Sequence, residues 1–175
     1  MANVLMIIAP ERFRDEEIFE TQAELRQAGH QTVIASTRIG ACCGSRGGEV
    51  VAVMTLEQVN CAGYDAFVFV GGGGSKVLWS NRAAWQIAQE ADQRGKVLAA
   101  ICLAPVILAH AGVLAGKQAT VAGTEAKTIE DHGAHYTGSS VTVDGRLVTA
   151  NGPKSSRLFG RQICGLLAKL GQGGD

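Results

Sequence analysis

Short, unbroken apolar runs recur along this chain, each followed by residues of helical periodicity, and this alternation limits the possible folds more than any other feature. Asn3–Ala9, Gln31–Ser36, Ala66–Val70 and Val97–Ile101 read as strands. A run without polar interruption belongs to a strand covered on both faces. The first helical stretch has Asp15 as its cap, Ile18, Thr21, Leu25 and Ala28 as its inner stripe, and Gly29 as its stop. A second starts at Asn81, turns Ala84, Ile87, Ala88 and Ala91 inward, and ends at Gly95. Pro105–Ala111 carries its proline in the first turn, where it is tolerated. Ser155–Leu170 turns Phe159, Ile163, Leu166, Leu167 and Leu170 inward. Two hairpins are expected: Ile39–Cys42 with Val50–Val53 across Gly44–Gly48, and Val141–Val143 with Leu147–Thr149 across Asp144-Gly145. Strand and helix alternating in this way predict an α/β fold, with a mostly parallel central sheet and helices on both faces. The expected organisation is one domain over 1–170, followed by a disordered tail at 171–175.

Charge and cysteine content narrow the function classes. Sixteen Lys and Arg balance sixteen Asp and Glu. No basic field is available for nucleic acid, and no polybasic run for an anionic membrane. No segment approaches the roughly 20 apolar residues of a spanning helix. Met1–Ile8 lacks a basic leading region and reads as a strand rather than a leader. Five irregularly spaced cysteines argue against a disulfide framework and for a reducing, cytoplasmic setting. Their spacing fits no zinc pattern, and vicinal Cys42-Cys43 cannot offer two thiolates to one ion without strain. No metal is expected.

In parallel sheets ligands bind beyond the carboxyl ends of the strands. Three segments fall there: Pro10–Glu17, Gly71–Gly74 and Cys102. Ala100-Ile101-Cys102-Leu103-Ala104-Pro105 reads small-x-nucleophile-x-small, the pattern of a sharp strand-to-helix elbow. Such a turn crowds the residues two before and two after its apex, so both must be small. It holds the apex side chain outward near the positive end of the next helix, which favours a thiolate. Glycines 71–74 let backbone amides approach a reacting atom. With the Leu103 amide they would form an oxyanion hole, and Gly71, Gly73 and Ala104 would line a pocket. The run lacks the spacing of a nucleotide-binding loop. Glu17 sits on the inner edge of the first helix, whereas Glu16 and Glu20 are better placed for solvent; a half-buried carboxyl there would have a useful pKa shift. Cys42, Cys43, Cys61 and Cys164 read as structural or surface thiols. His30 is at the far end of the sheet, and His110, two turns into the elbow helix, is too distant from the sulfur. Trp79 and Trp85 could line the site or simply pack.

Ala-Ile-Cys-Leu-Ala-Pro, the preceding Val-Gly-Gly-Gly-Gly, the Asp15-Glu16-Glu17 helix start and the late Thr-Ala-Asn-Gly-Pro, in this order, resemble the ThiJ/PfpI superfamily over Val4 to about Leu170. The resemblance implies a flavodoxin-like α/β sandwich with a nucleophile elbow, usually a homodimer. It implies that Cys102 is the elbow cysteine and that Glu17, held protonated, donates to its sulfur and lowers the thiol pKa. Gly72 and Leu103 fall where backbone amides face the oxyanion. Family activities include cofactor-free conversion of methylglyoxal to lactate, deglycase and peptidase activity, isocyanide hydration, chaperoning and oxidative-stress sensing. Two departures bear on this. Leu103 stands where the peptidase-like branch has histidine, and Gly123 where another branch has one. His132 and His135 have no His-x-Glu partner. The expected function is cysteine-dependent conversion of a small carbonyl with no cofactor. A redox sensor or chaperone acting through Cys102 sulfinate is the alternative, and a cysteine hydrolase the weaker one.

Overall fold

The apolar runs become the middle of one sheet. In the computed structural model, which describes residues 1–172, the elements are β1 (Asn3–Ile7), β2 (Glu11–Phe13), α1 (Asp15–Gln27), β3 (Gln31–Ser36), β4 (Gly40–Gly44), β5 (Glu49–Ala52), β6 (Met54–Thr55), β7 (Ala66–Phe69), α2 (Arg82–Gln93), β8 (Val97–Ile101), α3 (Pro105–His110), β9 (Gln118–Ala119), α4 (Ala126–Asp131), β10 (His135–Tyr136), β11 (Val141–Asp144), β12 (Leu147–Ala150) and α5 (Ser156–Gln172). Seven strands form the main sheet in the order β11-β12-β8-β7-β1-β3-β6. All its pairings are parallel except the β11–β12 hairpin. β2, β4 and β5 form a separate three-stranded sheet, and β9 pairs with β10.

Successive side chains of a strand point to opposite faces, and here both faces are covered. Leu5, Ile7, Phe67, Phe69, Leu98 and Ala100 join Ala84, Ile87, Ala88 and Ala91 of α2 and the apolar residues of α3 in one core. Val4, Met6, Val68, Val97, Ala99 and Ile101 join Ile18 and Leu25 of α1 and Phe159 and Ile163 of α5 in the other. Burying each such large side chain contributes about 1.5–3 kcal/mol. The continuous apolar runs follow from these two cores.

Several local expectations are corrected. Asp15 does not cap α1. The cap position is Arg14, which makes no side-chain capping bond. The buried Asp15 carboxylate instead accepts from the Arg46 and Gly48 amides, at 3.0 and 2.7 Å, and ties the β4–β5 turn to α1. Ala28 is exposed beyond the end of α1, and Leu166 and Leu170 are only half-buried. β6 and the β9–β10 pair lacked a clear sequence signal, being two residues per strand. α5 continues through Gln172, two residues into the segment read as a tail; the remainder, 173–175, lies outside the described residues. In the β4–β5 hairpin Cys42 is buried and Cys43 exposed.

Candidate active site

Three strand ends converge where the topology places them. β8 is flanked by β7 and β12, and the chain leaving β8 turns at once into α3. Cys102, at this turn, has φ 65°. A non-glycine residue pays a steric cost in that left-handed region, so the surroundings must hold it there. They do so from both sides. The Cys102 amide donates to Ala150 O at 2.9 Å, and its carbonyl accepts from the Ala122 amide at 2.8 Å. Ala100 and Ala104 are fully buried, as the elbow reading requires of the flanking small residues. Ala104 thus packs into the core beneath the elbow and does not line an opening. Among the other expected pocket residues, Gly71 is buried and Gly73 exposed.

Glu17 lies in the first turn of α1 and is fully buried. Its Oε1 accepts from the Gly71 amide at 2.9 Å, and its Oε2 is buried without a hydrogen-bond partner of ordinary geometry. The Cys102 side chain is beside this carboxyl. A Cβ on Gly71 would lie 2.7 Å from Glu17 Oε1, 2.8 Å from Cys102 Cβ and 2.5 Å from Ile101 O. Only glycine leaves room for these two side chains to meet. A Cβ on Gly72, whose φ is 98°, would lie 2.4 Å from the Arg14 amide nitrogen. The Gly72 and Leu103 amides both face the Cys102 sulfur.

Protonation within this pair is set mainly by burial. Burial pushes the Glu17 carboxyl up to about 8, against the opposing pull of the Cys102 thiol, the Gly71 amide and the Arg14 charge. Burial, then the negative charge of Glu17, push the Cys102 thiol up to about 12, although the Gly72 and Leu103 amides pull it down. The expected lowering of the thiol pKa is therefore corrected. A six-residue helix and two amides do not offset the loss of water around the sulfur while Glu17 is ionised. The direction that decides the chemistry is the raised carboxyl, because a neutral Glu17 removes the repulsion and leaves an acid proton beside the sulfur.

Arg14 was not singled out by sequence and belongs to this site. Its backbone amide donates to Gly71 O at 3.1 Å, and its Nε binds Glu16 at 2.7 Å. The Glu16 bond, with the charges of Glu17 and Cys102, keeps its pKa raised. Its place immediately before the acidic helix start was the available signal. No histidine hydrogen-bonds to Cys102 among the described residues. Gly123 follows Ala122, whose amide binds the elbow, so this position lies next to the elbow and holds glycine. His110 Nδ1 lies 2.6 Å from Trp79 O, not at the sulfur. Among the described residues no three His, Cys, Asp or Glu side chains converge on a metal position, and no helix is long and apolar enough to cross a membrane. A hollow of about 350 Å³ between His30, Asp65, Arg94 and Lys96 lies at the other end of the sheet and contains none of the expected site residues.

A doubly covered parallel sheet with a strained cysteine at a strand-to-helix elbow, packed against a buried carboxyl, defines a flavodoxin-like α/β protein of the cysteine-elbow class. The chain belongs to the DJ-1/PfpI family, whose model matches residues 2–166. It is 42% identical over 171 residues to an uncharacterised protein of Methanocaldococcus jannaschii, covering 96% of this chain and 83% of that one. It is 33% identical to a protein of Pyrococcus horikoshii named as a deglycase, covering 94% of this chain and 99% of that one. The crystal structure of a ThiJ/PfpI domain protein from Brachyspira murdochii superposes with a TM-score of 0.94 at 32% identity, covering 95% of this chain and 96% of that one.

Proposed function

We propose that this protein is a cofactor-free, cysteine-dependent enzyme acting on small reactive carbonyls, with methylglyoxal the simplest substrate and lactate the product. The observation that carries the reading is the fully buried Glu17 carboxyl meeting Cys102 over Gly71. The deglycase name of the Pyrococcus horikoshii relative supports action on a carbonyl or its adducts. The first proton lost by the pair leaves one negative charge. On sulfur, that charge has the Gly72 and Leu103 amides and the Glu17 acid proton around it; on Glu17 it has the Gly71 amide and the thiol. The thiolate so surrounded is the minor, nucleophilic form of the pair, held while Glu17 keeps its proton.

The thiolate adds to the aldehyde carbon, and the new oxyanion is held by the Gly72 and Leu103 amides and protonated by Glu17. The Glu17 carboxylate then removes the hydrogen on that carbon and returns a proton to the neighbouring carbon through an enediol, giving a lactyl thioester on Cys102. Water cleaves the thioester, releasing lactate and the thiol. Methylglyoxal plus water becomes lactate, with no net oxidation. The expectation of a homodimer is kept in this reading; exposed Ile39, Val51 and Val53 on and beside the β4–β5 hairpin are apolar surface that a second copy would cover.

The test is lactate formation from methylglyoxal by wild type, Cys102→Ala and Glu17→Gln. Turnover is expected in wild type, to vanish in Cys102→Ala, and to fall about 100-fold or more in Glu17→Gln. Wild type without turnover overturns the reading. A second reading is favoured by the half-buried thiol itself: two equivalents of peroxide would oxidise Cys102 through sulfenic to sulfinic acid, releasing water at each step, and Glu17 would donate to a sulfinate oxygen. A gain of two oxygens on Cys102 by mass spectrometry, with no aldehyde turnover, would select it.

A further inference from the structure

The two amides that face the Cys102 sulfur come from different segments. Gly72 precedes the 3-10 helix Gly73–Leu78, and Leu103 belongs to the elbow. Beyond the β7–β8 ladder, something must set the gap between them. Trp79, which ends that 3-10 helix, reaches across, and its indole Nε1 donates to Leu103 O at 3.0 Å. This side-chain hydrogen bond joins the far end of the 72–79 segment to the elbow. Trp79 is itself held from behind. Its carbonyl accepts from Trp85 Nε1 at 3.0 Å and from His110 Nδ1 at 2.6 Å, which fixes the proton of His110 on Nδ1. Lys76 Nζ stands 5.7 Å from the Trp79 ring centroid.

We propose that Trp79 is a positioning residue, bracing the Leu103 peptide so that its amide and that of Gly72 close on the sulfur together. The proposal rests on the cysteine-centred reading above for its importance in turnover, but its effect on the sulfur can be measured apart from turnover. His110 and Trp85 enter the same device as supports of Trp79, which gives His110 a place in the site without any contact with Cys102.

The experiment is the pH dependence of Cys102 alkylation by iodoacetamide in wild type, Trp79→Phe and Trp79→Gln, with folding checked by circular dichroism. Alkylation is read at Cys102 by peptide mass spectrometry, since Cys43 is exposed and would react too. Phenylalanine keeps an apolar ring and loses the donor. Glutamine loses the ring but carries an N–H the same number of bonds from Cα as the indole nitrogen. A bracing role gives Trp79→Phe an upward-shifted profile, with alkylation at pH 7 slowed about two- to tenfold, the change a net hydrogen bond corresponds to, and Trp79→Gln a profile nearer wild type. A purely packing role gives the opposite order, because glutamine fills less of the apolar space, and that order would overturn the proposal. A folded Trp79→Phe whose profile superimposes on wild type would also overturn it. If Trp79→Phe does not fold, a wild-type profile in Trp79→Gln supports the brace and an upward-shifted one refutes it. If wild type proves inactive on aldehydes while these profiles separate as expected, the brace stands and the substrate reading alone fails.

Discussion

Glu17 and Cys102 meet over the absent side chain of Gly71, with the carboxyl on the Gly71 amide and the cysteine Cβ packed where a Gly71 side chain would have to go. The two residues come from the first helix and the turn after β8, and a third segment, the end of β7, spaces them.

That spacing makes Gly71 the glycine whose replacement reaches both side chains directly, whereas a Cβ on Gly72 or Gly74 would meet the backbone of residues 11–14. Gly71→Ala is expected to push Glu17 or the elbow aside, lowering stability by about 1–3 kcal/mol and removing turnover. Gly73, a neighbour with open space around the position of a Cβ, is expected to accept alanine within about 0.5 kcal/mol. Denaturant unfolding with the lactate assay compares the two, and equal losses would contradict the spacing role.

The raised Glu17 carboxyl gives stability a definite pH dependence. Its pKa is about 8 in the folded chain and about 4.3 when unfolded. Between those values the folded chain holds a proton that the unfolded chain releases, so stability falls as pH rises from about 4.5 to about 8, by at most about 1.4 kcal/mol per pH unit from this group. Cys102, raised to about 12, acts in the same sense only above the ordinary thiol range. Urea midpoints at pH 5 and pH 7.5 should separate in wild type and draw together in Glu17→Gln. Parallel behaviour of the two proteins would contradict a buried, protonated Glu17.

The left-handed backbone at Cys102 has a measurable cost. Cys102→Ala keeps the strain and Cys102→Gly releases it. The glycine variant is therefore expected to be at least as stable as the alanine variant, by up to about 1 kcal/mol, the reverse of their order at an ordinary strand or helix position. Melting temperatures of the two inactive proteins provide the check.

The features legible in the sequence share one property: their cause is local. Val97–Ile101 showed its double burial as an unbroken apolar run, and the elbow showed itself because a tight turn needs alanine at 100 and 104 whatever the rest of the chain does. Asn81 was read as a cap and is one, accepting from the Ala84 amide at 2.9 Å. Asp15 looked like a cap by the same rule, yet a turn distant in sequence offered its carboxylate two backbone amides, and that tertiary partner won. The acidity of Cys102 was misjudged because helix-end and amide effects can be read along the chain, whereas desolvation depends on what covers the sulfur. Trp79 and His110 join the site through carbonyl oxygens, which leave no trace in residue type. Glu17 itself was legible from its position beside Ile18, on the inner edge of α1.

The most direct measurement is the fate of the migrating hydrogen when methylglyoxal is converted in D₂O. A proton carried by Glu17 exchanges with solvent, so lactate with deuterium at the carbon bearing its hydroxyl is expected by NMR from wild type, and none from Cys102→Ala. Lactate formed at the wild-type rate by Glu17→Gln, or the absence of lactate from wild type, would contradict the paired Cys102–Glu17 mechanism.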